Sequence, residues 1–244
     1  ANAGEGLDMQ TSTNSRSASI ADEVTESLLR FDDDNNEEPV LLTDFPTVSD
    51  DGLVYTFELK QGVHFTNGTE LTSKDVKFTF ERMFNPATAA KSTAYFNMIK
   101  GAKDMLDGNA TELAGFEIVD DYHFTITLDY AFAPFVKNLG TSYADIFPED
   151  ACTAAGENWG LGTDLIGTGP YKIQENDDTT KVILVKNEDY HGGDVNLDEL
   201  QILFYDDDQT KLIAYENGDI DLADLNASLL SQYKDKYADE ITAY

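Results

Sequence analysis

Residues 51–76 read DGLVYTFELKQGVHFTNGTELTSKDV, and three signals of local structure follow one another in this stretch. Apolar and polar residues alternate through 55–59, which is the period-two pattern of a half-buried strand. Asn67-Gly68 is a turn dipeptide, typical of a type I′ turn in which both residues have positive φ. The segment Thr72–Asp75 has the spacing of a capping box and predicts the start of a helix, which Asn85-Pro86 ends.

The sequence upstream of this block predicts one helix and one turn. Apolar residues at helical spacing indicate a helix near residues 20–30, with Ser19 as its N-cap. The acidic run 32–38 has oxygen-bearing side chains at alternate positions, as a calcium loop does. However, Glu37 stands where such a loop needs a glycine, and Thr43 stands where it needs a bidentate glutamate. We therefore expect a solvated turn.

Farther along the chain, strand and helix patterns interleave without a strict βαβ rhythm. Alternating apolar runs predict the following strands: 116–118, 124–128, 171–173, 182–185, 200–204 and 220–223. Two more helices are expected, a short one that begins at Pro134 and one over 208–216. This mixture indicates an α/β or α+β protein.

The chain of 244 residues is strongly acidic, with 47 Asp and Glu residues against 16 Lys and Arg residues and a formal net charge of −31. Such a surface repels phosphate, so neither nucleic acid nor an anionic membrane is an expected partner. Solubility is the simplest explanation of the charge, and a funnel that attracts cations is the alternative. No stretch approaches the roughly 20 apolar residues of a membrane span, which favours a soluble protein.

The sequence lacks the motifs of common catalytic sites. A nucleophilic triad needs a base beside a serine or cysteine, and none of His64, His123 and His191 lies in such a motif. The single Cys152 cannot form an internal disulfide or a thiolate cluster. We therefore expect no metal, no cofactor and no enzymatic activity. Acid pairs such as Asp206-Asp207 keep a carboxylate-dependent hydrolase open as an alternative.

The block 51–76 closely resembles the pattern of bacterial extracellular solute-binding proteins of family 5, approximately DGLTYTFxLRxGVKFxDGxPLTAxDV. Later blocks resemble the same family in order and spacing: GTGPY at 167–171, LVKNEDYHGG at 184–193 and GDID at 218–221. Three residues depart from the family pattern, and these changes affect turns more than the fold. The chain has Asn67, Glu188 and His191 where the family usually has aspartate, proline and tryptophan.

The resemblance implies a mixed α/β (α+β) fold of the periplasmic-binding-protein class II type. Members of this family have two lobes around a cleft, and the chain would be the first lobe, with the second lobe absent. Within it we expect a discontinuous base made of residues 1–31 and 160–244, and an inserted subdomain of residues 32–159. A discontinuous domain is possible because the two ends of an insertion can lie close together.

The function that the resemblance implies is capture of a solute for an ABC importer. In the family an extended peptide lies in the cleft as an added strand. The segment before the first predicted helix would supply one pairing edge through these residues: Asn14, Ser15, Arg16, Ser17 and Ala18. The expected partners are a peptide and the permease subunits, and the chain is expected to be a monomer. A metal chelate, haem or a sugar remains open as the ligand. The expected location is the periplasm or the cell surface, with a lipid anchor as one option.

Overall fold

The computed structural model describes residues 6–241, which form a mixed α/β structure. The helices are α1 Ser15–Val24, α2 Ser73–Phe84, α3 Ala102–Leu106, α4 Phe135–Asn138, α5 Glu149–Ala155, α6 Asp208–Asn217 and α7 Ala227–Tyr233. The strands are β1 Leu29–Phe31, β2 Glu37–Pro39, β3 Thr47–Val48, β4 Val54–Glu58, β5 Phe116–Ile118, β6 His123–Thr127, β7 Tyr171–Asn176, β8 Lys181–Lys186 and β9 Glu199–Leu203. Over this range, none of the helices has the length and apolar character needed to cross a bilayer.

Over residues 6–241 the strands form three antiparallel sheets. The strands β1 and β2 make a hairpin, the second sheet has the order β3-β4-β6-β5, and the third has the order β7-β8-β9. The acidic run 32–38 includes the turn of the first hairpin, where one oxygen of Asp32 accepts hydrogen bonds from the backbone N–H groups of Asp34 and Asn36. The predicted solvated turn is confirmed, as are the hairpin of β5 with β6 and the pairing of β7 with β8.

The strand, turn and helix predicted from residues 51–76 are all present. In the turn, Gly68 has a φ of 86° and its N–H donates to the carbonyl of Phe65 at 2.8 Å. Asn67 is not among the residues with positive φ, so the expected type I′ turn is wrong. Its side-chain oxygen instead accepts hydrogen bonds from the N–H and the hydroxyl of Thr69, which holds the turn with Gly68 alone in the left-handed region.

Helix α2 begins at the predicted capping box. The Asp75 carboxylate accepts a hydrogen bond from the Thr72 N–H at 2.9 Å and from the Thr72 hydroxyl at 3.1 Å. The helix buries Val76 and Phe80 on its inner face and ends at Phe84, with Asn85 as its C-cap before Pro86. The sequence predicted the two ends of this helix correctly because both ends depend on local hydrogen bonding and on proline geometry.

Two hydrophobic clusters form the core. The larger is built from residues between Leu28 and Ile146 and contains stacked rings of Phe57 and Phe124, whose centroids lie 4.8 Å apart. The smaller joins residues 7–24 to residues 147–184. Each fully buried phenylalanine stabilises the fold by about 1.5–3 kcal/mol relative to an exposed side chain.

Two of the predicted elements differ from the structure. The first helix spans Ser15–Val24 with Asn14 as its N-cap, so the expected helix over 20–30 and the Ser19 cap are wrong. The short polar residues at its start hid the true beginning, because Ser and Asn favour caps and turns over helix interiors. The predicted strand over 220–223 does not form, and Leu222 is 77 % exposed there. Within residues 6–241, no strand pairs with this segment.

The segment 167–171 packs directly against the end of α1. The Gly169 N–H donates to the carbonyl of Val24 at 3.0 Å, and the side-chain amide of Asn187 donates to the Gly169 carbonyl at 2.9 Å. A Cβ on Gly169 would lie 2.7 Å from the Val24 carbonyl carbon. Gly169 is not among the glycines with positive φ, so it is required here by the close approach of two backbones.

Candidate functional site

A cavity of about 730 Å³ lies between the start of α1, the β1–β2 hairpin and the loop 140–145. We call this cavity the cleft. Its walls mix polar and apolar groups, as ligand sites commonly do. The lining residues are Met9, Thr13, Asn14, Ser15, Ala18, Asp22, Thr25, Glu26, Ser27, Leu29, Arg30, Phe31, Val40, Gly140, Thr141, Ser142, Tyr143, Asp145, Pro170 and Tyr190.

Buried polar contacts hold the N-terminal segment of the cleft wall in place. The Asp8 carboxylate accepts a hydrogen bond from the Arg82 guanidinium at 2.6 Å, and both side chains are largely shielded from solvent. A second nitrogen of Arg82 donates to the side-chain oxygen of Gln10, also at 2.6 Å. Because a buried ion pair is costly to break from one side, these contacts fix residues 8–10 against helix α2.

The structure places three of the five predicted site residues on the cleft wall, namely Asn14, Ser15 and Ala18. Their backbone conformation differs from the expected pairing edge. The Asn14 side chain accepts a hydrogen bond from the Arg16 N–H, and the Ala18 N–H donates to the Asn14 carbonyl at 3.0 Å. Residues 15–18 form the first turn of α1, so the loop expected over them is wrong, and of the five residues only Asn14 keeps the extended backbone that a strand edge needs. Arg16 and Ser17 do not line the cleft, and Ser17 is fully buried. Ligand binding by these residues stays a prediction.

Glu26 is the centre of a shielded polar network at one end of the cleft. One of its oxygens accepts a hydrogen bond from the Tyr190 hydroxyl at 2.8 Å. The other accepts from the Thr168 hydroxyl at 2.7 Å and lies 2.7 Å from Nε2 of His191. Burial, followed by the charge of Glu26, raises the pKa of Tyr190 and keeps its hydroxyl protonated as a donor. The network ties the residues after α1 to both later sequence blocks, 167–171 and 184–193.

Two further carboxylates, Asp22 and Asp145, stand on the cleft wall. Asp145 is 3 % exposed and accepts a hydrogen bond from the Thr25 hydroxyl at 2.6 Å. Burial raises the pKa of Asp145 well above its usual range, and repulsion from Asp22 and Glu26 adds to that rise. The pKa of Asp22 is raised to about 6, mainly because neighbouring protein displaces water from its carboxylate and also because of the charge of Glu23.

Sequence reasoning did not identify Asp22, Glu26 or Asp145 as site residues. The chain has so many acidic residues that no single one stands out. Thr25 and Asp145 are 120 residues apart in sequence, and only the fold brings them together. The contacts of Tyr190 and His191 with Glu26 had one signal in the sequence, which is that both residues lie in the block 184–193 that resembles the family.

Cys152 and the possible metal ligands are the described side chains whose chemistry bears most directly on catalysis. Cys152 is buried in α5, and burial raises the pKa of its thiol to about 12, which disfavours the thiolate. Among residues 6–241 there is no group of three or more His, Cys, Asp or Glu side chains with the geometry to hold a metal ion. The cleft instead offers hydrogen-bonding side chains around a cavity, an arrangement that can orient a ligand.

Solved structures with the same architecture include oligopeptide-binding proteins. The chain superposes on the Listeria monocytogenes OppA bound to peptide with a TM-score of 0.88 and 26 % identity, over 94 % of this chain and 46 % of that one. It superposes on the substrate-binding domain of an oligopeptide ABC transporter from Bacillus anthracis with a TM-score of 0.87 and 27 % identity, over 94 % and 45 % of the two chains. The fold is therefore that of a solute-binding protein.

Residues 36–244 match the family model described as bacterial extracellular solute-binding proteins, family 5 Middle, and the chain belongs to that family. It is 30 % identical to the heme-binding protein A of Haemophilus influenzae over 211 aligned residues. The alignment covers 82 % of this chain and 38 % of the relative. It is also 30 % identical over 229 residues to the probable di/tripeptide-binding protein 5 of Pseudomonas aeruginosa, over 90 % of this chain and 43 % of the relative. The chain thus spans about two fifths of the length of these relatives.

Proposed function

We propose that this chain supplies one wall of the ligand cleft in the extracytoplasmic capture component of an ABC importer, and that the captured solute is a peptide. The observation that carries the proposal is the cavity of about 730 Å³ at the start of α1. It lies in a chain whose fold matches a peptide-bound oligopeptide-binding protein. The opposite wall would come from a second lobe, in keeping with the 46 % of that structure's chain that this chain covers.

We also propose that the chain is divided into a base, residues 1–31 and 160–244, and an inserted subdomain, residues 32–159. The two hydrophobic clusters support this division, because the smaller one joins residues 7–24 to residues 147–184. Leu28 packs in the larger cluster and Phe147 in the smaller. The packing therefore favours boundaries slightly earlier than 31 and about a dozen residues earlier than 159.

The wall of the cleft that this chain supplies would hold a peptide mainly through side chains. Residues 15–18 are helical, so their backbone N–H groups and carbonyls are not arranged as a strand edge. The side chains of Asn14, Ser15 and Ser142, and the aromatic rings of Phe31 and Tyr143, line the same cavity. Large cavities of this kind accept varied side chains with bridging water, which suits a broad range of peptides.

The delivery partner would be a membrane permease, and the location would be the periplasm or the cell surface. Haem is a second candidate ligand because one of the relatives is named a heme-binding protein. Titration of the chain with a mixed library of tri- to pentapeptides, followed by mass spectrometry, tests the proposal. Intact peptides recovered with the protein would support capture. Cleaved products would contradict it and favour the hydrolase alternative, and binding of haem in preference to every peptide would change the ligand class.

A further inference from the structure

Several charged groups on the cleft wall already have partners within the protein. Both oxygens of Glu26 accept hydrogen bonds in the network described above. Asp145 accepts a hydrogen bond from the Thr25 hydroxyl at 2.6 Å, and the Arg30 guanidinium lies 3.1 Å from the Glu38 carboxylate. A ligand that binds these groups has to compete with existing contacts, so they add little net binding energy.

Two aromatic rings on the same wall, those of Phe31 and Tyr143, have surface that the protein leaves uncovered. Phe31 is the last residue of β1, and Tyr143 lies in the loop 140–145. Both line the cavity, and both are only half-buried. Water is displaced favourably from an aromatic face when an apolar group covers it. The uncovered ring surface is therefore available to a ligand in the cleft.

Tyr143 is held in one orientation by contacts on the protein side. Its ring stacks on that of Tyr95, with centroids 4.9 Å apart and an angle of 29° between the ring planes. The side-chain amide of Asn138 donates a hydrogen bond to the Tyr95 carbonyl at 2.7 Å. Tyr143 also packs against both hydrophobic clusters. A ring that is fixed before the ligand arrives loses little conformational entropy on binding.

Phe31 packs on the same loop that contains Tyr143. A Cβ on Gly140 would lie 3.2–3.3 Å from two carbons of the Phe31 ring, so the ring rests on the backbone of this glycine. The ammonium group of Lys137 lies 5.4 Å from the ring centroid, which is the range of a cation–π contact. These contacts bring both rings to the loop 140–145 at the cavity wall.

We infer that Phe31 and Tyr143 form a subsite for an aromatic side chain of the bound peptide. The inference rests on the proposed function and names a ligand class for the same cleft, namely peptides that carry phenylalanine, tyrosine or tryptophan. Aromatic pairs in offset or edge-to-face geometry stabilise a contact beyond the area that they bury, so an aromatic side chain is favoured over an aliphatic one of equal size.

Three tripeptides that differ only at the central residue test this preference. They have phenylalanine, alanine or cyclohexylalanine between two alanines, and cyclohexylalanine is close to phenylalanine in size but not aromatic. Binding to the chain is followed by NMR chemical shifts in titrations to millimolar peptide. We expect Ala-Phe-Ala to bind at least about fivefold tighter than Ala-Ala-Ala, because the ring buries apolar surface. It should bind about twofold tighter than the cyclohexylalanine peptide, because only phenylalanine forms aromatic pairs.

Phe31→Leu and Tyr143→Leu each remove one ring and keep an apolar side chain. Each should lower the affinity ratio of Ala-Phe-Ala to Ala-Ala-Ala by about twofold or more. Circular dichroism checks that the variants fold, and Phe31→Leu alone decides the test if Tyr143→Leu does not fold. Phe45→Leu and Tyr130→Leu are matched controls, because both rings are exposed and neither lines the cleft. The controls should keep the ratio of the unmodified chain.

The outcomes separate this inference from the proposed function. Equal affinity for the three peptides would overturn the inference and leave peptide capture standing. A preference for Ala-Phe-Ala that survives in the folded Phe31→Leu and Tyr143→Leu variants, or that disappears in Phe45→Leu or Tyr130→Leu, would overturn the assignment of the subsite to these two rings. Chemical shift changes with none of the peptides would overturn the proposed function together with the inference.

Discussion

Replacing Gly169 by alanine places a methyl group against backbone that cannot easily move. The new Cβ would lie 2.7 Å from the Val24 carbonyl carbon and 2.8 Å from the Glu23 carbonyl oxygen. The hydrogen bond from the Gly169 N–H to the Val24 carbonyl fixes this approach at 3.0 Å. To avoid this overlap, the segment 167–171 would have to move away from the end of α1. Overpacking of this kind costs about 1–3 kcal/mol.

Alanine substitutions at two other glycines provide a comparison for the loss of stability. At Gly140 the nearest atoms to a new Cβ are the ring carbons of Phe31 at 3.2–3.3 Å, and a half-buried ring can turn away. At Gly167 the Cβ would lie 2.2 Å from the Val24 carbonyl oxygen, which is the most severe overlap of the three. None of the three glycines has a positive φ. We therefore expect Gly140→Ala to change stability little, Gly169→Ala to lower it, and Gly167→Ala to lower it most.

Urea unfolding followed by circular dichroism measures this order, and thermal unfolding should show a fall of about 2–4 °C for each kcal/mol lost. Gly169→Ala with the same free energy of unfolding as Gly140→Ala would refute the argument from close approach. ATP binding to the unmodified chain that Gly169→Ala abolishes would instead identify the segment 167–171 as a phosphate site.

Three further outcomes are expected. Thr72→Ala should lower the free energy of unfolding by about 0.5–2 kcal/mol through loss of the hydroxyl bond to Asp75 at the start of α2, and an unchanged unfolding curve would contradict the cap. Asp145→Asn should stabilise the chain near pH 7 but not near pH 3.5. The raised pKa of Asp145 shows that its ionised form is unfavourable in the folded state. This penalty is absent below the pKa of the unfolded chain and grows as the pH rises towards the pKa of the folded chain. An equal effect of Asp145→Asn at both pH values would contradict this prediction. The chain alone should bind tri- to pentapeptides with a dissociation constant above about 1 μM, because one wall offers only part of the hydrogen bonding of a closed cleft, and calorimetry showing submicromolar binding would refute this.

The sequence predicted those parts of the fold that depend on local patterns. Strand β4 and helix α2 follow from alternation and capping, and both signals lie within a few residues of the structure that they produce. The start of α1 was missed because Ser15 and Ser17 are weak helix formers, and the packing of Ile20 and Val24 in the core decides the helix instead.

The cleft could be predicted from sequence only in outline. The resemblance to the family placed a ligand-contacting segment near Asn14, and that residue does line the cavity. The carboxylates did not emerge, because their role depends on burial and on partners distant in sequence, as the contact of Thr25 with Asp145 shows. In a chain rich in acidic residues, the sequence has no periodic pattern that distinguishes a buried carboxylate from an exposed one.

The central claim is that the cavity at the start of α1 is one wall of a peptide-binding cleft. The most direct measurement is a map of backbone amide chemical shifts in the 27.0 kDa chain during titration with Ala-Phe-Ala to millimolar concentration. We predict that the shifts cluster at residues 13–31 and 140–145, which line the cavity. Shifts confined to another surface, or the absence of any shift at saturating peptide, would contradict the account.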